Sequence, residues 1–249
     1  MIQITVIKLY DYGKWTLTLG QDREHELQMF QASLYKETQK LFSERNSLVF
    51  SNRFDELFAV TNKLNLNEHL YIQKKLRTIF NNPLSMFIGY GETPFDANAH
   101  AFEGEKSRTI LNQDYMIYGF INGTNNNDNV VIIHFDVEDF TSLKKKQTPY
   151  ETSSIIFDLY HTMSRFFLQQ KSLSFFLGGD NFMVLSHNNY KKQTSEFINI
   201  IHKKYGLILN CGVGKGSTAR EAAKYATKSL DTIRAIRNSS EKKPSIYEL

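Results

Sequence analysis

Four aspartates in the 249-residue sequence have the type and spacing to do chemistry. Asp11 lies in VIKLYDYGKWT (residues 6–16) and Asp136 in VIIHFDVEDFT (131–141), each an apolar run closing on an aromatic residue and an Asp. A second Asp follows 44 residues later in each case, Asp55 in FDELFAVTN (54–62) and Asp180 in GDNFMVLSH (179–187). Two carboxylates held close together repel, and one takes up a proton unless a cation lies between them. Hard oxygen donors of this kind suit Mg2+, which takes one or two carboxylates and completes its shell with water and substrate phosphate. Paired ions of this sort clamp the oxygens of a displacement at phosphorus. The expectation is therefore two metal–nucleotide sites, with Asp11 and Asp55, and Asp136 and Asp180, as metal ligands and catalytic groups.

The residues around these acids differ between the halves. Gly178 and Gly179 precede Asp180 and remove side chains where a ligand would approach the backbone. A Gly-Gly-Asp turn alone needs no ligand; the upstream Asp136 and the duplication carry the reading. In the first half Tyr12, Gly13 and Lys14 form a neutral-to-basic turn suited to phosphate. Arg53 stands beside Asp55, either to bind phosphate or to form an ion pair with that carboxylate. The second half has the acidic turn Val137-Glu138-Asp139, which favours metal over bare phosphate. His134 shares a strand face with Asp136, as a proton-transfer group or a hydrogen-bonded sheet histidine. Lys215, Arg220, Lys224, Lys228, Arg234 and Arg237 line the last helical stretch, most of them as a solvated face and one or two within reach of a triphosphate.

These positions require a repeated scaffold. The offset that places Asp11 on Asp136 is 125 residues, and it also places Asp55 on Asp180. Shifted by two, Gly89 and Gly91 fall on Gly212 and Gly214. Apolar spacing predicts helices over 22–42 and 152–168, then strand pairs at 48–52 with 56–61 and 172–177 with 181–186. Helices follow at 66–80, opened by an Asn65/Glu68 capping box, and at 190–204. Strands at 84–89 and 207–212 and closing helices at 94–106 and 217–236 complete each half. The fold class expected is α+β: tandem ferredoxin-like βαββαβ domains with antiparallel sheets, residues 1–121 and 130–249, joined by an Asn/Gly-rich linker at 122–129. Helices would cover one face of each sheet and leave the other free, which favours a homo-oligomer. Residues 114–120 are a candidate extra strand.

Composition narrows the function classes. Thirty basic against 26 acidic residues give a formal charge of +4, mild enough for an ordinary solvated surface. There is no zinc-finger spacing, RNA-recognition signature or basic–aromatic stripe, so nucleic acid is not expected as a partner. One cysteine, Cys211, excludes a disulfide framework within the chain. No apolar run approaches the length of a membrane span, and the N-terminus reads as a strand, so a soluble cytoplasmic protein is expected.

With these motifs in hand, GGDNF resembles the GGDEF hairpin of diguanylate cyclases, and FDVEDFT resembles the metal-binding first strand of class III nucleotidyl cyclases. MIQITVI, the Tyr-Gly-x-Trp-Thr turn, RFDELFAVTN, GETPFDA and GGDNFM in that order resemble the archaeal GTP cyclohydrolase III family over essentially the whole chain. The resemblance implies a Mg2+-dependent enzyme that opens the imidazole ring of GTP and releases pyrophosphate. Its product would be 2-amino-5-formylamino-6-ribosylamino-4(3H)-pyrimidinone 5′-phosphate, for flavin and deazaflavin biosynthesis. One departure stands out: the family's first strand ends Asp-Asn-Tyr-Gly, where this chain has Tyr10-Asp11-Tyr12-Gly13 and Lys14 replaces Pro. A one-residue displacement turns a strand side chain to the other face, whereas the internal repeat favours Asp11. The alternatives are a diguanylate or nucleotidyl cyclase, a non-catalytic tandem GTP sensor, and a structural pair in which the aspartates only make turns.

Overall fold

The computed structural model describes residues 1–121, 129–237 and 244–249, so all but the last position of the 122–129 linker lies outside the described residues. The chain divides into two compact units, residues 1–92 with 96–128 and residues 93–95 with 129–249. Each is an α+β unit built on an antiparallel sheet.

The first unit runs β1 (Ile2–Leu9), α1 (Tyr12–Thr18), α2 (Glu24–Ser43), β2 (Leu48–Arg53), β3 (Glu56–Val60), α3 (Leu66–Ile79), β4 (Leu84–Gly91), α4 (Pro94–Lys106), β5 (Ile110–Asn112) and β6 (Ile117–Gly119). Its sheet order is β2-β3-β1-β4-β6-β5. The second unit runs β7 (Val130–Val137), α5 (Phe140–Lys146), α6 (Pro149–Gln169), β8 (Leu173–Gly178), β9 (Asn181–Ser186), α7 (Tyr190–Tyr205), β10 (Leu209–Gly216), α8 (Ala219–Arg237) and β11 (Ile246–Glu248), with sheet order β8-β9-β7-β10-β11. In both, the first strand is central and antiparallel to the hairpin strand and to the fourth strand. A short parallel strand, β6 or β11, is added beyond it.

The expected capping box at Asn65 and Glu68 opens α3, each side chain accepting from the other's backbone N–H. An unforeseen one, Thr148 with Glu151, opens α6 three residues earlier than apolar spacing indicates. Tyr12, Gly13 and Lys14, read as a turn, open the short helix α1 instead, whereas Glu138 and Asp139 do form a turn, with the short helix α5 following it.

One face of each sheet holds the main core. Ile7, Leu9, Leu57, Met86 and Ile88 pack there with Leu34, Phe42, Ile72 and Leu76. Phe135, Val137, Phe182, Cys211 and Val213 pack with Ile156, Leu159, Phe167 and Phe197. The other face, expected to be free, is covered by the closing helix. A Cβ on Gly89 would collide with the backbone of Ala97 and Ala101 in α4, and one on Gly214 with that of Ala222 and Ala226 in α8. The glycines thus admit a helix against the sheet. Gly89 corresponds to Gly214 and Gly91 to Gly216, at the unshifted offset of 125, which corrects the two-residue shift. The last strand is held by Glu248, whose carboxylate accepts from Tyr190 at 2.7 Å and pairs with Lys191 at 2.8 Å and Lys215 at 3.0 Å.

Candidate active site

Strand pairing fixes how the four aspartates are disposed. On β7, Asp136 lies directly across from Asn181 of the hairpin and, on its other side, from Asn210 of β10. On β1, the residue across from Glu56 and Ser85 is Lys8. Glu56 and Ser85 correspond to Asn181 and Asn210 at an offset of 125, so the structural counterpart of Asp136 is Lys8, not Asp11. Asp11 corresponds to Asp139. Both have left-handed backbone (φ 51° and 52°), and both precede a seven-residue helix. The displacement arises in the connection after that helix, five residues (19–23) in the first unit and two (147–148) in the second. An ungapped comparison slides past such a change in length.

The first unit's acids consequently stand apart from the place Asp136 holds. Asp11 is exposed and ion-paired with Lys14 at 3.3 Å. Asp55 occupies the hairpin turn and pairs with Arg53 at 3.5 Å, the ion-pair alternative. Tyr12, Gly13 and Lys14 lie within α1 rather than in a turn, and the Tyr12 hydroxyl accepts from Gln31 at 2.8 Å.

In the second unit Asp136 is 8% exposed on the sheet face beneath α8, and Arg234 of that helix reaches it at 3.3 Å. His134 shares this face, hydrogen-bonded to Asn181 at 3.1 Å and Thr227 at 3.3 Å. Burial lowers its pKa and favours the neutral ring, against the opposing Asn181 hydrogen bond and nearby Asp136 charge. It is a sheet histidine packed against the helix. Asn181 also donates to Asp180 Oδ1 at 3.1 Å, tying the turn carboxylate to the strand that faces Asp136. Asn210 is 3% exposed, and its Oδ1 has no hydrogen-bond partner among the described residues. An orphaned buried carbonyl oxygen beside a carboxylate is costly unless a cation or donor arrives.

The hairpin turn opens on a cavity of about 560 Å³ lined by Phe140, Pro149, Thr152, Phe157, Phe176 and Gly179, among others. Gly178 and Gly179 take positive φ (105° and 62°) with open space where a side chain would stand. Three aromatic rings beside a bare backbone suit a flat heterocycle. The corresponding first-unit cavity, about 740 Å³, has Gln31, Ala32, Ser51 and Phe54 where the second has Ile156, Phe157, Phe176 and Gly179. Sequence reasoning missed Phe140, Phe157, Phe176 and Asn210. The three phenylalanines read as ordinary core residues, and nothing local marks a buried asparagine as unpaired.

Residues 1–244 match the family GTP cyclohydrolase III. The chain belongs to that family. A GTP cyclohydrolase III of Methanothermobacter thermautotrophicus is 35% identical over 94% of this chain and 95% of its own length. That of Methanocaldococcus jannaschii is 33% identical over 94% and 88%. A solved GGEEF domain of a diguanylate cyclase from Vibrio cholerae is far more remote, at 11% identity, 49% of this chain, 83% of that one and a TM-score of 0.39. As a member of the GTP cyclohydrolase III family the chain is an enzyme. Among its described residues no helix is long and apolar enough to cross a membrane.

Proposed function

We propose that this enzyme hydrolyses GTP in its second unit, opening the imidazole ring and releasing pyrophosphate. One water adds at C8 and the C8–N9 bond breaks, leaving the formyl group on N7; a second water cleaves the link between the α- and β-phosphates. The product is 2-amino-5-formylamino-6-ribosylamino-4(3H)-pyrimidinone 5′-phosphate. The observation that carries the reading is the family match over 1–244, joined to an aromatic cavity that opens at the Gly178-Gly179-Asp180 turn.

The donor set fits Mg2+, with Asp136, Asp180 and the unpartnered Asn210 Oδ1 as hard oxygen ligands. Such an ion would neutralise the triphosphate and polarise the phosphorus that is attacked. Phe140, Phe157 and Phe176 hold the purine ring between apolar faces and exclude bulk water from it. Gly178 and Gly179 let the sugar–phosphate lie against the backbone. Arg234, the counter-charge of Asp136, stands where it can turn to phosphate. The family resemblance supports a supply for flavin and deazaflavin synthesis, in the cytoplasm.

Incubation of the purified protein with GTP and Mg2+, with products resolved by mass, tests this. The formylaminopyrimidine monophosphate and pyrophosphate in equal amounts are expected. Cyclic or dimeric nucleotide would instead make it a cyclase, and GTP bound but unchanged a sensor.

A further inference from the structure

The Lys8 ammonium lies 3.0 Å from Glu56 Oε2 and 2.7 Å from Glu105 Oε2. Glu56 comes from the hairpin strand, at the place of Asn181, and Glu105 from α4, the helix that corresponds to α8. Glu56 also accepts from Asn52 at 2.6 Å and pairs with Arg53 at 3.3 Å. Two half-buried or buried carboxylates from separate elements thus converge on one cationic atom. Burial works against the Lys8 charge, yet the two carboxylates more than offset it and raise its pKa.

We infer that Lys8 is a built-in cation that closes the first unit's counterpart of the Asp136 seat, leaving one divalent-cation centre per chain, in the second unit. This rests on the proposed metal role of Asp136 and Asp180. The chemistry is substitution: carboxylates that converge need positive charge between them, and here a lysine supplies it permanently. An incoming divalent ion would meet the ammonium head-on. Arg53 adds a second fixed positive charge, shared between Glu56 at 3.3 Å and Asp55 at 3.5 Å, so the two cations leave only one carboxylate charge of the three uncompensated.

Mn2+ binding followed by electron paramagnetic resonance tests the inference without using activity. The wild-type chain is expected to hold Mn2+ at the second unit only, that site being lost in Asp136→Asn and Asp180→Asn. Lys8→Met keeps the aliphatic stem and removes the charge, so Glu56 and Glu105 should gain a Mn2+ site that Glu105→Gln, added to it, removes. Free Mn2+ at about ten times its Kd should raise the melting midpoint of Lys8→Met by roughly 4 °C. If Lys8→Met folds only with Mn2+ present, that supports the same conclusion. A folded Lys8→Met without a new site would overturn the inference, since Lys8 would then be an ordinary salt-bridge lysine. So would a wild-type Mn2+ site that survives Asp136→Asn and disappears in Glu56→Gln or Asp55→Asn. No Mn2+ on the wild type but a site in Lys8→Met would sink the metal reading of the second unit while leaving Lys8 as the built-in cation.

Discussion

At the end of β7 a carboxylate, Asp136, is met by a guanidinium from α8, whereas at the matching point of β1 an ammonium, Lys8, is met by carboxylates from β3 and α4. The strands around the two points correspond, β3-β1-β4 in one unit and β9-β7-β10 in the other. Beside them, the second unit has a glycine hairpin and an aromatic cavity, and the first has Arg53-Phe54 and a cavity lined partly by glutamines. A duplicated scaffold keeps its apolar positions because the core needs them. It is free to reverse charges at a strand end, provided each charge finds a partner. The lesson is that the halves share a frame and have diverged at the site.

The largest effect is expected from removing the carboxylates one unit at a time. Asp136→Asn and Asp180→Asn are expected to lower kcat/KM for GTP by at least about 100-fold, since even residues behind metal ligands are worth 10–100-fold. Asp11→Asn and Asp55→Asn should stay within about twofold, as surface changes are worth roughly ±0.5 kcal/mol. Equal losses in both pairs, measured by initial rates at saturating Mg2+, would restore the two-site expectation.

A smaller effect is expected from exchanging the hairpin residues. Gly179→Phe places the first unit's residue at φ 62°, costing about 1–2 kcal/mol of stability, and sets a ring at the mouth of the cavity. KM for GTP should rise about tenfold or more, equivalent to about 1.4 kcal/mol. Phe54→Gly, the reverse exchange, should leave KM unchanged. A KM response to Phe54→Gly and none to Gly179→Phe would move the nucleotide to the first unit.

Much of the frame was legible in the sequence. Leu27, Leu34 and Leu41 keep helical spacing, Asn65 with Glu68 announces a helix start, and each hairpin shows two β-rich runs around a tight turn. The register of the first strand was not legible. Both LYDYG and HFDVED carry aromatic–Asp, and matching those letters outweighed the alternation that would have set Ile7 and Leu9 over Phe135 and Val137. Core alternation is enforced by burial; a repeated acidic letter is not. The role of Lys8 depends on Glu105, 97 residues away, and was invisible for that reason. Closure of the second sheet face was similarly hidden, because the glycines that admit α4 and α8 read locally as turns.

The last contrast is in how the units respond to acid. His69 in α3 is fully buried in the first unit, where α7 of the second has Thr194, at the same offset that places Ile72 on Phe197. Its Nδ1 lies 2.8 Å from the Asn65 carbonyl, which can only accept, so Nδ1 carries the proton. Nε2 must then accept from the Thr5 hydroxyl at 2.8 Å. Thr5 in turn accepts from Thr61 at 3.0 Å, and Thr61 from the Gln3 amide at 3.3 Å. Every donor in the chain points one way, and a proton on Nε2 would reverse it. Burial accordingly pushes the His69 pKa down to about 4, against 6.5 when unfolded. Because the unfolded state binds the proton more readily, this contribution is intact above pH 6.5 and is lost as pH falls towards 4. The loss is on the order of 2–3 kcal/mol. His134 in the second unit is also lowered by burial, but Asn181 and Asp136 oppose the shift and soften the response there. Trp15, the only tryptophan, packs on Phe30 at 4.7 Å and reports on the first unit alone. Between pH 7 and 4.5 the urea midpoint of Trp15 fluorescence should fall further than that of amide exchange in β7 and β9, and His69→Gln should flatten the difference. Parallel loss in both units, unaltered by His69→Gln, would place the acid sensitivity elsewhere.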